Sequence, residues 1–210
     1  MNATSARTSA RGMRPPRRAR RAALLAAAAL GALALTACDP AQAGSAAVVG
    51  TERITESVVN TAAFEAAEAQ QAAGVEPDVR ELMRRQLDVR IAAVLLDELA
   101  ATYDVEVTQG QIDAFIRDQG GAEAWQAAVV ERGLSPNQAR EFARIQILID
   151  STAQAIDPQD GMQRLGAEAA ALSEEIGVEI SPRYGSWDSQ QVTVVAALDD
   201  VSQPAGAPVA

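Results

Sequence analysis

Residues 78–102 read DVRELMRRQLDVRIAAVLLDELAAT. Val79, Leu82, Met83, Leu87, Ile91, Val94, Leu95 and Leu99 recur at three- and four-residue steps, which places them on one stripe of an α-helix. Arg80, Glu81, Arg84, Arg85 and Asp88 fall largely off that stripe. Glu81 and Arg85 stand at i,i+4, a spacing that stabilises an exposed helix by about 0.2–0.5 kcal/mol. The expectation is one long helix whose apolar stripe is core and not a membrane-binding face.

Shorter helices flank it. Upstream, Thr55 is placed to cap a helix running to about Ala73, with Glu56 near its positive end and Gly74 as its stop. Its expected core face is Val58, Val59, Ala62, Ala63 and Ala66. Downstream, Thr108-Gln109-Gly110-Gln111 has capping-box spacing, and Ile112, Phe115 and Ile116 share the face that follows. Gly120-Gly121 breaks that helix. A further one, 122–132, is expected to bury Trp125, Ala128 and Val129 before Gly133. Ser135-Pro136-Asn137-Gln138 is a second box, with proline at the first helical position, and Phe142, Ile145, Leu148 and Ile149 carry the core face beyond it. Asp157-Pro158 and Gly161 mark a break. Leu165, Ala169, Leu172 and Ile176 then make a last stripe, closed by Gly177.

The two ends of this helical array are extended. Residues 46–49, a turn at Gly50 and residues 51–54 resemble two short strands; 178–180 alternates as a third. The fold class is therefore mainly α: five or six helices, with a small sheet joining residues 48–54 to residues 178–180. The folded domain is placed at 46–188. Residues 189–210 are expected to be an extended or disordered tail, with a further extended piece at 192–195.

The N-terminal region reads differently. Seven arginines and no acid precede Cys38, and residues 22–35 are an uncharged run of Ala and Leu with one glycine. A basic start, a short apolar run and small residues before a cut describe a secretory signal peptide. Fourteen helical residues span about 21 Å, short of the roughly 30 Å hydrocarbon core. Leu35-Thr36-Ala37-Cys38 fits the bacterial lipobox, and Cys38 is the only cysteine of the chain. Residues 1–37 are read as a lipoprotein signal peptide, Cys38 as the lipidation site and 38–45 as a lipidated tether. The alternative is an ordinary signal peptide with a chance cysteine. Arg17-Arg18 and Arg20-Arg21 keep twin-arginine export open beside the general route. The expected location is the extracytoplasmic face of the cell membrane, held by acyl chains worth about 0.8 kcal/mol per buried CH₂.

Charge and composition narrow the function. The whole chain carries −10; without residues 1–37 it keeps 11 arginines against 28 acids, a net −17. Such a body is repelled by nucleic acid, which is not expected as a partner. No histidine is present, which removes Ser-His-Asp and Cys-His catalysis and the commonest metal ligand. No lysine is present, which removes Schiff-base chemistry. Walker and GxGxxG phosphate loops are missing, as is a GxSxG nucleophile frame. Asp97-Glu98 and Glu174-Glu175 are helical neighbours that diverge by about 100° and so make no dyad by themselves. Asp157-Pro158-Gln159-Asp160-Gly161 lacks calcium-loop spacing. No catalytic residue, metal site or cofactor is expected. Tyr184 and Trp187 are the one aromatic concentration; they suit peptide or glycan contact, or, the favoured reading, cover for one end of the small sheet.

Four segments together resemble a known family. Val48-Val49-Gly50 through Ile54-Thr55 is similar to the opening of SurA- and PrsA-like N-terminal domains. Tyr103-Asp104-Val105-Glu106-Val107-Thr108, leading into Gln111-Ile112-Asp113, resembles a helix-to-helix join of that family. Gly133-Leu134-Ser135, leading into Arg140 and Arg144, resembles its next join. Gly177-Val178-Glu179-Ile180-Ser181-Pro182-Arg183-Tyr184-Gly185 is similar to its closing strand. The resemblance covers about 46–188. It implies a SurA N-terminal-like helical fold and chaperone-type binding of unfolded or newly exported polypeptides in the cell envelope. Many members carry a parvulin prolyl-isomerase domain. Here only about 20 residues separate the helix ending near Ala155 from the closing strand, and no histidine is present, so isomerase activity is not implied. The resemblance supplies no peptide-contact residues. Three functions remain: a chaperone-like holdase, a structural lipoprotein docking one folded envelope partner, and, least favoured, a solute-binding or enzymatic protein.

Overall fold

The computed structural model describes residues 44–196. Cys38, the signal region and the tether up to residue 43 lie outside the described residues, as do Asp199-Asp200 and the rest of the tail beyond 196. The order is β1 (Ser45–Val49), β2 (Glu52–Thr55), α1 (Glu56–Ala72), α2 (Val79–Thr102), α3 (Gln109–Asp118), α4 (Ala122–Glu131), a 3₁₀ turn (Pro136–Gln138), α5 (Ala139–Ile156), α6 (Gly161–Ile176), β3 (Val178–Ile180), β4 (Ser186–Asp188) and β5 (Thr193–Val195). The fold is mainly α, and its small sheet joins both ends of the helical array. Its strand order is β2-β1-β3, with Ala47 opposite Ile180 and Val49 opposite Val178.

Local chemistry sets the element ends. The Thr55 hydroxyl accepts from Val58 N at 3.4 Å, and the Asp78 carboxylate accepts from Arg80 N at 3.0 Å and Glu81 N at 3.1 Å. The expected capping box forms in full at Thr108/Gln111, while at Ser135/Gln138 only half of it forms: Gln138 Oε1 accepts from Ser135 N at 2.8 Å and the Ser135 hydroxyl is buried without a partner among the described residues. Each supplies partners to helix-end N–H groups that otherwise have none. Gly50 turns β1 into β2 at φ +57°, a conformation that disfavours any side chain, while its N–H donates to Gly177 O at 2.9 Å and ties the turn to β3.

Helix α2 lies at the centre because it buries more than one face. Leu87, Ile91 and Leu95 pack with Ala47, Val49, Ile54 and Val59 under the sheet. Leu96, Leu99 and Ala100 pack on Ile145 and Leu148 of α5 and Leu165 of α6. Leu82 packs on Ala63, Ala66 and Ala67 of α1. A separate cluster joins α3, α4 and α5 through Ile112, Trp125, Val129, Leu134 and Phe142. Each fully buried leucine or isoleucine stabilises by about 1.5–3 kcal/mol, so the bundle hangs on α2.

Four expectations are corrected. Val58 is 43% exposed: the buried face of α1 runs through Val59, Ala62, Ala63, Ala66 and Ala67, one step round the helix. Glu81 pairs with Arg84 one turn on, and Arg85 leans toward Asp88 at 3.9 Å, so the Glu81–Arg85 pair does not form. Ala128 is only half-buried, because the inner face of the short helix α4 is carried by Trp125 and Val129. The ordered body continues past 188, because β4 and β5 form an antiparallel hairpin, Trp187 opposite Val194. The boundary drawn at 188 cuts through that hairpin.

Candidate functional site

A groove of about 510 Å³ opens where β2, the start of α1, α2 and α5 meet. Ile54, Val58, Val89, Ala93, Val94 and Ile145 give it apolar surface. Its charged residues are Glu52, Arg53, Arg90, Asp97, Glu98, Glu141 and Arg144. The size and the mixed lining are those of a small ligand or peptide-segment site.

The polar wall is built around Arg144. Its guanidinium donates to both oxygens of Asp97 on α2, at 2.7 and 3.0 Å. It also donates to Glu141 one turn earlier on α5, from Nε at 3.1 and 3.2 Å and from Nη2 at 2.8 Å. This fork holds α2 against α5 with bidentate geometry that lysine does not offer. The bonds to Asp97, then those to Glu141, raise the pKa of Arg144 further. Asp97 and Glu141 are thereby occupied.

Arg90 stands differently. It is half-buried on α2, and its Nε is buried without a hydrogen-bond partner among the described residues. Burial pulls its pKa down, and the nearby charge of Glu141 only partly opposes this. A desolvated guanidinium donor without an acceptor is costly, by about 1–3 kcal/mol or more.

The other residues singled out by the sequence sit elsewhere. Tyr184 is 4% exposed within the core under the sheet, and Trp187 packs against that core, its Nε1 3.4 Å from Ser173 Oγ. Arg183 bridges to Glu56 at 2.8 Å. Arg140 holds Asp113 at 2.7 Å and Gln109 at 2.8 Å, joining α5 to α3. Glu174 accepts from Ser189 and Gln190 of the hairpin loop. Asp157 accepts from Gln159 N and Asp160 N and binds Arg164, and those bonds, in that order, lower its pKa. Among the described residues no group of His, Cys, Asp and Glu could hold a metal ion, and no helix is long and apolar enough to cross a membrane.

Arg90, Asp97 and Glu141 were not identifiable as groove residues beforehand, and Arg144 was noted only within a join between helices. Their meeting depends on the packing of α2 against α5, about 47 positions apart in sequence. Compared with family models, with curated proteins and with solved structures, the chain matches none.

Proposed function

We propose that the chain is a membrane-anchored, extracytoplasmic, chaperone-like lipoprotein that binds unfolded or newly exported polypeptides. Cys38 carries the lipid. No catalytic residue, isomerase activity or cofactor belongs to this reading. It combines the lipobox, the SurA- and PrsA-like segments and one structural observation, the groove between β2, α1, α2 and α5. Its apolar floor suits aliphatic side chains of an unfolded segment, and its charged rim leaves that segment's polar groups hydrated. Val58, 43% exposed at this groove, offers uncovered apolar surface to such a segment.

The test is suppression of aggregation. The full chain in lipid nanodiscs is mixed with several unrelated unfolding proteins, and light scattering is followed. Empty nanodiscs and nanodiscs bearing an equally acidic inert protein are the controls. Suppression near stoichiometry across all clients is the expected result. Absence of suppression contradicts general client binding and favours a lipoprotein that docks one folded envelope partner.

A further inference from the structure

The arginines of the groove are committed within its own walls, and two of its acids are not. Arg144 is shared between Asp97 and Glu141, so that cluster carries a net negative charge. Arg53 is itself engaged, and the Nε of Arg90 is sealed inside the wall. Glu52, at the start of β2, and Glu98, toward the end of α2, are exposed on opposite walls. Neither carboxylate has a hydrogen bond or ion pair among the described residues.

The same groove leaves apolar surface uncovered. Val58 is 43% exposed, and Val89 and Ala93 are half-buried. Along α2 the groove runs from Val89 to Glu98, about 14 Å at about 1.5 Å per residue. An extended chain covers that length in about four residues. Val89 and Ala93 lie toward one end of this wall, and Glu98 lies at the other.

We infer that the groove takes an extended, cationic segment of polypeptide: an aliphatic pair covers Val58, Val89 and Ala93, and an arginine or lysine side chain about two to four residues away meets Glu98, with Glu52 as the second negative charge of the rim. This rests on the polypeptide-binding reading above and specifies its client. Apolar contact supplies the affinity, and charge supplies the choice. An exposed ion pair adds little to affinity, but a like charge at the rim is turned away. The long-range field acts in the same direction. The chain beyond residue 37 carries a net −17, which draws cationic segments and is screened beyond about 8 Å at physiological salt. An acidic segment is repelled at both ranges, and a neutral aliphatic one lacks the anchor at Glu98.

The test uses the full chain in nanodiscs of zwitterionic lipid, with empty nanodiscs as the blank. Isothermal titration calorimetry gives the affinity of unlabelled octapeptides capped at both ends. The first is Arg-Ser-Ser-Leu-Val-Ser-Ser-Arg, which presents a cation on either side of the aliphatic pair and so serves both chain directions. In the second both arginines are Gln, in the third both are Glu, and in the fourth Leu and Val are Ser. The first should bind about three- to tenfold tighter than the Gln form, the scale of one or two exposed ion pairs, and the Glu form should bind more weakly than the Gln form. Loss of the aliphatic pair should weaken binding by about tenfold or more. Glu52→Gln with Glu98→Gln should bring the Arg form to the affinity of the Gln form. Glu106→Gln with Glu175→Gln removes the same charge from exposed acids outside the groove and should leave the preference intact. Equal binding of the Arg and Gln forms to the native chain overturns this inference and leaves the polypeptide reading standing. An equal loss of preference in both double variants assigns it to the overall field and also overturns the inference. Absence of binding by any form overturns it as well, and the suppression assay above then decides the polypeptide reading separately.

Discussion

Asp88 Oδ1, on α2, accepts from the main-chain N–H of Val194 at 2.9 Å and from the Thr193 hydroxyl at 3.0 Å, across 106 and 105 positions of sequence. One carboxylate therefore fastens β5 to the central helix. The segment it fastens is strained: Val192 has φ +51°, a region costly for a β-branched residue, by about 1–3 kcal/mol. Asp88→Ala should free the hairpin locally. The Val194 amide should exchange at least tenfold faster with solvent while the amides of α2 keep their protection, and the loss should be about 1–2 kcal/mol. Unchanged exchange at Val194 would show that apolar contacts alone hold the hairpin.

Gly161 opens α6 where that helix crosses α5. A Cβ built there would stand 1.9 Å from Ala153 O, a backbone atom without room to give. Gly161→Ala should separate the two helices and destabilise by about 1–3 kcal/mol or more, read as a lower denaturant midpoint. Gly166→Ala, on the same helix with nothing within 4 Å of its added Cβ, is the control and should be neutral or slightly stabilising. Equal stability of the two variants would contradict the close approach.

Gln86 is fully buried on α2. Its Nε2 donates to Gly133 O at 3.0 Å and its Oε1 accepts from Gln138 Nε2 at 2.8 Å, while Gln138 Oε1 accepts from Ser135 N at 2.8 Å. The chain stitches the α4–α5 connection onto α2. Gln86→Leu should cost about 1–3 kcal/mol, because similar volume leaves the buried Gly133 carbonyl and the half-buried Gln138 amide without these partners. A thermal-melt loss below 0.5 kcal/mol would mean that the connection is held without this network.

Both tyrosines ionise late. Tyr103 donates to Glu168 at 2.7 and 2.9 Å, and that bond is the first cause of its raised pKa; burial is the first cause for Tyr184. The neutral phenols are favoured in the folded chain. Their contribution to stability is therefore complete below the unfolded value of about 10 and is lost as pH rises through the raised folded values. An absorbance titration of the folded chain should show both phenols ionising above the urea-unfolded chain. Glu168→Gln should bring one of the two back toward 10. Two phenols titrating at the unfolded value would contradict both contacts.

Much of the fold was readable because it is locally determined. Thr55, Thr108, Ser135, Gly74, Gly133 and Gly177 act on neighbours within a few residues, so the element ends follow from them. The joining of residues 48–54 to residues 178–180 was also anticipated, from two extended ends flanking helices, although the strand that pairs with β3 is β1, through Ala47, Val48 and Val49, and β2 lies on its other side. The phase of α1 was harder. Alanine-rich faces differ little in apolar character, so Val58 looked like core and is exposed. The width of α2 was harder still. A single stripe accounts for Leu87, Ile91 and Leu95, but Gln86 and Leu96 are buried because α2 has neighbours on several sides. The groove was not legible at all. Arg90 reads as one more charged residue off the stripe, and only the approach of α5 makes it a buried donor.

The groove itself is most directly examined at Val58, where an exposed apolar side chain meets the open floor. Val58→Lys places a hydrated charge there, and a surface change of this kind should alter stability by no more than about 0.5 kcal/mol. The measurement is aggregation suppression by the folded variant beside the native chain, with the same set of unrelated clients. If polypeptides bind in the groove, suppression should fall at least severalfold for every client. Suppression equal to that of the native chain would contradict client binding at this site.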